Sequence, residues 1–132
     1  MLGDFMEENV DDKYYLTPKQ IEGMRKWKSR KNPLDKIYTK NSEYTRTIVR
    51  RNWGDLHAEM GLYVDSKGIR KFTERECWRL MGFSDIDFDK ASKVSPSKEL
   101  YQQAGNSIVV PVLEGIFKNI LGGEYERRNW EI

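Results

Sequence analysis

Residues 70–83 read Arg-Lys-Phe-Thr-Glu-Arg-Glu-Cys-Trp-Arg-Leu-Met-Gly-Phe. Thr73 followed three residues later by Glu76 is the sequence form of a capping box, in which each side chain satisfies a free backbone N–H at a helix start. Glu74 and Glu76 put negative charge where the helix dipole favours it. Cys77, Leu80 and Met81 recur at helical spacing and predict a buried face, and Gly82 predicts the stop. Just before the cap, residues 69–72 read as a short strand. A second short strand, residues 62–64, precedes it through Asp65-Ser66-Lys67-Gly68, a hairpin with Gly68 at positive φ. A hairpin feeding a capped helix predicts an α+β fold: a small mixed fold with a short antiparallel sheet and about four helices.

Downstream, residues 84–95 read as a polar loop. Ser95 and Pro96 start a third short helix that ends at Gly105. Asn106 and Ser107 are cap residues for a fourth helix over 109–121, whose apolar set Val109, Val112, Leu113, Ile116, Phe117 and Ile120 follows the i, i+3, i+4, i+7 rule. Gly122-Gly123 stops it, and residues 124–132 form a charged tail. Upstream, Thr17, Pro18 and Gln20 form another capping box with proline at the first helical position. Ile21, Met24 and Trp27 make a narrow apolar stripe that fades near Lys31, because Pro33 disfavours helical geometry at Asn32. Residues 30–43 read as a basic loop, 44–49 as a β-branched and aromatic strand, and 50–60 as an irregular loop.

Composition narrows the class. The 132 residues are 38% hydrophobic and 33% charged, with mean hydropathy −0.79. That is apolar-poor for a self-contained globule, although 12% aromatic residues argue against disorder. No run of 18 apolar residues exists, so no membrane contact is expected. One cysteine and one histidine exclude a disulfide framework and a cysteine-rich metal site, and fit a reducing compartment.

Net charge is +2, unevenly spread: residues 1–12 carry −5, residues 13–51 carry +9 and residues 52–132 carry −2. The basic block includes Arg25, Lys26, Lys28, Arg30, Lys31, Lys36, Lys40, Arg46, Arg50 and Arg51. A local field of that sign attracts polyanions; a merely solvated basic face is the alternative. No phosphate loop, dinucleotide fingerprint, zincin motif or nucleophile elbow is present. Asp85, Asp87 and Asp89 alternate, but lack the glycine and terminal glutamate of a calcium loop. Cys77 lies on the apolar side of a helix with no base placed beside it, which reads as core.

Residues 70–83 as quoted resemble the ninth sequence motif of the DNA (cytosine-5)-methyltransferases. Tyr101-Gln102-Gln103-Ala104-Gly105-Asn106-Ser107-Ile108-Val109-Val110-Pro111-Val112 resembles their tenth and last. Glu8-Asn9-Val10-Asp11-Asp12-Lys13-Tyr14-Tyr15-Leu16 is similar to the segment after their eighth. The resemblance runs from about residue 6 to 121, and residues 17–69 fall in the place of the target-recognition region.

The resemblance implies the C-terminal portion of such an enzyme, which transfers methyl from S-adenosylmethionine to C5 of cytosine in DNA. Four segments follow: an acidic lead-in (1–16), a basic target-recognition region (17–69), a helical region of the last two motifs (70–121) and a tail (122–132). Asn106 and Ser107 would line the S-adenosylmethionine pocket, with Tyr101 and Gly105 shaping the same wall. Thr47-Ile48 stands for the family's Thr-Leu pair near the DNA backbone. Arg46, Arg50, Arg51, Asn52 and His57 would contact double-stranded DNA, Arg, Asn and His being able to read base edges. Arg70, Thr73, Arg75, Glu76 and Arg79 would be structural hydrogen bonders and ion pairs. Phe72 where leucine is usual, and Ser84 where proline follows Gly-Phe, depart from the pattern.

The family's chemistry needs a cysteine thiolate after a proline, which attacks C6 of a flipped cytosine. It also needs a Glu-Asn-Val carboxylate and a glycine-rich first motif. Cys77 follows Glu76 inside the ninth motif, and Glu8-Asn9-Val10 lies too close to the Asp-Asp-Lys-Tyr-Tyr-Leu segment, so no catalytic residue is assigned. The expected chain is inactive alone: a piece of a longer enzyme, the product of a truncated gene, or the smaller subunit of a split one. Its partners would be DNA and the missing N-terminal catalytic part, on which the last helix would pack; alone, it would self-associate. Its place would be the cytoplasm, at the nucleoid. The alternatives are a non-enzymatic DNA-binding or regulatory module, and a scaffold with a merely solubilising basic block.

Overall fold

The computed structural model describes residues 1–28, 32–50 and 61–121. After 3-10 turns at Leu2–Phe5 and Asp12–Tyr14 come α1 (Pro18–Arg25), a 3-10 turn at Pro33–Asp35, β1 (Ile37–Tyr38), β2 (Leu62–Val64) and β3 (Ile69–Lys71). Four further helices follow: α2 (Glu74–Leu80), α3 (Asp85–Ser92), α4 (Ser97–Asn106) and α5 (Val110–Ile120). The sheet order is β1-β2-β3, with β2 and β3 antiparallel and β1 parallel to β2. The expected antiparallel hairpin is therefore part of a mixed three-stranded sheet. The helices number five among the described residues rather than about four.

Strand alternation explains the layering. Leu62, Ile37 and Ile69 face one side, where they meet Leu16 and Met24 with Ile21 and Trp27 of the α1 region. Tyr38, Tyr63 and Phe72 face the other, in a larger core with Cys77, Trp78, Met81, Phe88, Leu100, Tyr101 and Ala104. The small sheet is sandwiched between α1 and the α2–α4 layer.

Local signals hold where they are short-range. Thr17 and Thr73 both close capping boxes, with Gln20 and Glu76. Gly68 and Gly82 take positive φ, 152° and 88°. Five expectations need correction. Residues 84–95 contain a helix, not a loop: Ser84 accepts from the Asp87 N–H, and Phe88 is buried with its ring edge-on to Trp78. Residues 44–49 form no strand, and Ile48 is instead buried directly in the main core; β1 itself lies in the stretch expected to be loop. α1 stops at Arg25, well before Lys31, and Asn32 donates its side-chain amide to the Met24 carbonyl there. Asn106 and Ser107 do not cap α5: Asn106 is the last residue of α4, Ser107 follows it, and Val109 precedes α5 without a side-chain cap bond.

Candidate functional site

α4 carries the residues assigned to a cofactor wall. Leu100, Tyr101 and Ala104 are buried and fix the helix to the core. Trp78 donates its indole N–H to the Leu100 carbonyl at 2.9 Å, and the Tyr101 hydroxyl donates to the Phe72 carbonyl at 2.8 Å. Tyr101 is 3% exposed, so it ties the middle of α4 to the core. Burial first, then the nearby Glu74 carboxylate, pushes its phenol well above the usual range. Asn106 is exposed and Ser107 half-buried, the Ser107 hydroxyl donating to the Ile108 carbonyl at 3.0 Å.

Gly105 lies between these two sets. A Cβ built on it would stand 2.3 Å from the Arg50 nitrogen and from the Val49 carbonyl carbon. The backbone of residues 49–50 thus passes directly over the end of α4. Ile48 is buried in the main core and Val49 packs against it, while Thr47 and Arg50 are exposed and Arg46 is half-buried. The candidate DNA residues 46–50 and the Asn106–Ser107 turn are therefore neighbours. Arg51, Asn52 and His57 lie outside the described residues. Sequence reasoning passed over Tyr44: it is 66% exposed with the Lys36 ammonium 4.3 Å from its ring centre. An exposed aromatic in a basic block was the available signal.

The 70–79 constellation is a packed ion network. Arg70 is fully buried and donates to Glu76 Oε2 and Oε1 at 2.8 and 2.7 Å, and to Asp65 at 3.0 Å. Glu76, equally buried, also accepts from the Thr73 and Glu7 backbone N–H groups at 2.8 and 2.9 Å. Burial opposes the Arg70 cation, but Glu76 and Asp65 more than offset it and its pKa is raised. Arg75 donates to Asp89 at 2.6 Å and stacks over Phe88. Arg79 forks onto Asp85 at 2.7 and 2.8 Å, which holds the Asp85 carboxyl below the usual range. The Thr73 hydroxyl donates to Glu7, and Tyr14 to Glu74, which sews residues 7–14 onto α2.

Two features flagged for chemistry stand apart. Cys77 has no exposed surface, and burial, then the Glu76 and Glu74 charges, pushes its thiol well up. Glu8, Asn9 and Val10 line an open cavity of about 800 Å³ shared with Lys40, Tyr63 and Asp65.

α5 is attached by its first turn. The Val110 N–H donates to the Met81 carbonyl at 2.9 Å. Gly82, at φ 88°, lies so close beneath Pro111 that a Cβ there would be 2.4 Å from the ring. Beyond that turn, no α5 residue is buried. Val112, Ile116, Phe117 and Ile120 are 46–71% exposed.

The sequence model of the family described as C-5 cytosine-specific DNA methylase matches residues 1–122. The type II methyltransferase M2.ScrFI of Lactococcus lactis subsp. cremoris is 37% identical over 128 residues, covering 90% of this chain and 33% of that protein. The orphan methyltransferase M.Rho11sI of Bacillus phage rho11s is 39% identical over 114 residues, covering 86% and 20%. The chain thus spans a third or less of the length of these relatives. The S. pombe Dnmt2 methyltransferase structure shares the fold, with a TM-score of 0.71 at 22% identity, over 92% of this chain and 41% of that one.

Proposed function

The chain belongs to the C-5 cytosine-specific DNA methylase family, and from that premise we propose that it is the C-terminal, DNA-recognising portion of such an enzyme, inactive alone. The observation that carries the reading is Cys77: it is the sequence's single cysteine, and it has no exposed surface. A family whose reaction needs an accessible thiolate must then draw that thiolate from another part of the enzyme. In this reading Thr47, Arg46 and Arg50, with Arg51, Asn52 and His57, engage double-stranded DNA, and Ile48 anchors their segment in the core. The +9 charge of residues 13–51 supplies salt-dependent attraction to phosphates.

S-adenosylmethionine would supply the methyl group when bound. Asn106 fits such a ligand: its exposed side chain carries both donors and an acceptor, and Ser107 adds a hydroxyl beside it. Tyr101 and Gly105 set the position of that turn, and Arg70, Thr73, Arg75, Glu76 and Arg79 fix the platform beneath. The bare apolar face of α5 packs on the catalytic part. The protein acts where the DNA is, at the nucleoid in the cytoplasm.

The test is methyl transfer from labelled S-adenosylmethionine to DNA, with the chain alone and after mixing with an N-terminal half that carries the glycine-rich and Pro-Cys motifs. Transfer is expected only in the mixture. Activity of the chain alone overturns the reading, and DNA binding with no transfer in the mixture favours a non-enzymatic module.

A further inference from the structure

We propose that Gly105 is a positioning residue that couples the DNA-facing segment to the cofactor turn, through backbone contact between residues 49–50 and the end of α4. The inference rests on the reading above and adds a communication route to it. Among the described residues, the segment 44–50 belongs to no sheet. Its later residues are held by Ile48, which is buried, by Val49, which packs on the same core, and by the close approach at Gly105, while Lys36 reaches Tyr44 at its start. The atoms nearest the missing Cβ are all main-chain atoms, at 2.3–2.5 Å. No side-chain rotation relieves such a contact; the segment itself must move by about an ångström to reach ordinary packing distance.

The contact joins what flanks it. On one side are the exposed side chains of Thr47 and Arg50; on the other, the next residues after Gly105 are Asn106 and Ser107. A shift on either side is passed across with no flexible side chain between. By linkage, a ligand that fixes one side then favours the fixed form of the other. Gly115 offers an internal comparison: it too is a helical glycine, but a Cβ there meets nothing within 4 Å.

Two measurements on the full chain test this, with a mixed-sequence DNA duplex at low salt as the probe. In the first, amide hydrogen exchange of the unaltered chain is compared with and without DNA. Slowed exchange is expected at residues 45–50 and also at 104–108. Slowing at 45–50 alone overturns the coupling and leaves the DNA-binding reading intact. No DNA-induced slowing anywhere overturns the reading on which the coupling rests. In the second, Gly105→Ala and Gly115→Ala are compared for DNA affinity. G115A is expected to match the parent, and G105A to bind roughly tenfold more weakly, with exchange of core residues 62–81 unchanged and that of 45–50 accelerated. Parental DNA affinity in a folded G105A chain overturns the proposal, and a G105A chain that does not fold leaves the decision to the first measurement.

Discussion

Glu76→Gln should cost most of what the α2 platform contributes to stability. Each carboxylate oxygen of Glu76 accepts two bonds: Oε1 from Arg70 and the Glu7 N–H, Oε2 from Arg70 and the Thr73 N–H. An amide NH2 at either position faces two donors. The variant therefore loses one charged hydrogen bond, worth about 1.5–3 kcal/mol, and strands a buried N–H at about 1–3 kcal/mol. Asp65 still holds the Arg70 Nε at 3.0 Å, which keeps the stranded cation partly compensated. The total is about 3–5 kcal/mol, the usual cost of breaking a buried pair from one side. With a urea m-value of about 1.5–2 kcal/mol/M for a domain of this size, the unfolding midpoint should fall by roughly 1.5–3 M. Equilibrium urea unfolding followed by tryptophan fluorescence reads it directly. A midpoint within about 0.3 M of the parent would refute the reasoning.

The acid limb of stability should show the paired carboxylates. Burial opposes the Asp65 charge, but bonds from Tyr15, the Lys67 N–H, Arg70 and the Gly68 N–H outweigh it and depress its pKa; Arg79 does the same for Asp85. A depressed carboxylate contributes above its unfolded value, about 3.9, and that contribution is lost as pH falls through the folded value. The urea midpoint should therefore hold from pH 7 to about 5 and drop below about 4, less steeply in Asp65→Asn; an unchanged midpoint at pH 3 contradicts this. The exposed α5 face should make the isolated chain self-associate as concentration rises, and Ile116→Glu should restore monomers by light scattering. A monodisperse parent at high concentration counts against it.

What the sequence discloses depends on the range of the interaction. The Thr17 and Thr73 caps are legible because each is closed within three residues. The Gly68 and Gly82 turns are legible because positive φ selects the residue. α3 is not: its Asp85 and Asp89 look like a loop until Arg79 and Arg75, a helix away, neutralise them, and Phe88 has no reason to fold inward until Trp78 is beside it. Residues 44–49 mislead for the converse reason, since β-branched composition reports fit to a half-buried surface rather than strand pairing, and Ile48 finds its burial in the core without joining the sheet. For the site, resemblance names residues but not neighbours. Residues 49 and 105 are far apart in sequence, and only the fold places one backbone on the other.

The two close glycine contacts divide α4 and α5 into a fixed part and a dependent part. Gly105 lets the 49–50 backbone lie against the end of α4, and Gly82 lets Pro111 in the first turn of α5 lie against the end of α2. The whole α5 helix has 11 residues and none of them is buried, a length that is marginal in water without tertiary cover. In the proposed reading, that cover comes from the catalytic part. In that reading, self-association and docking on a catalytic part would draw on the same apolar face, and mass action would set them in competition. A chain that gains activity on adding the N-terminal half should give up its oligomers at the same stoichiometry, because one stripe of Val112, Ile116, Phe117 and Ile120 cannot be covered twice.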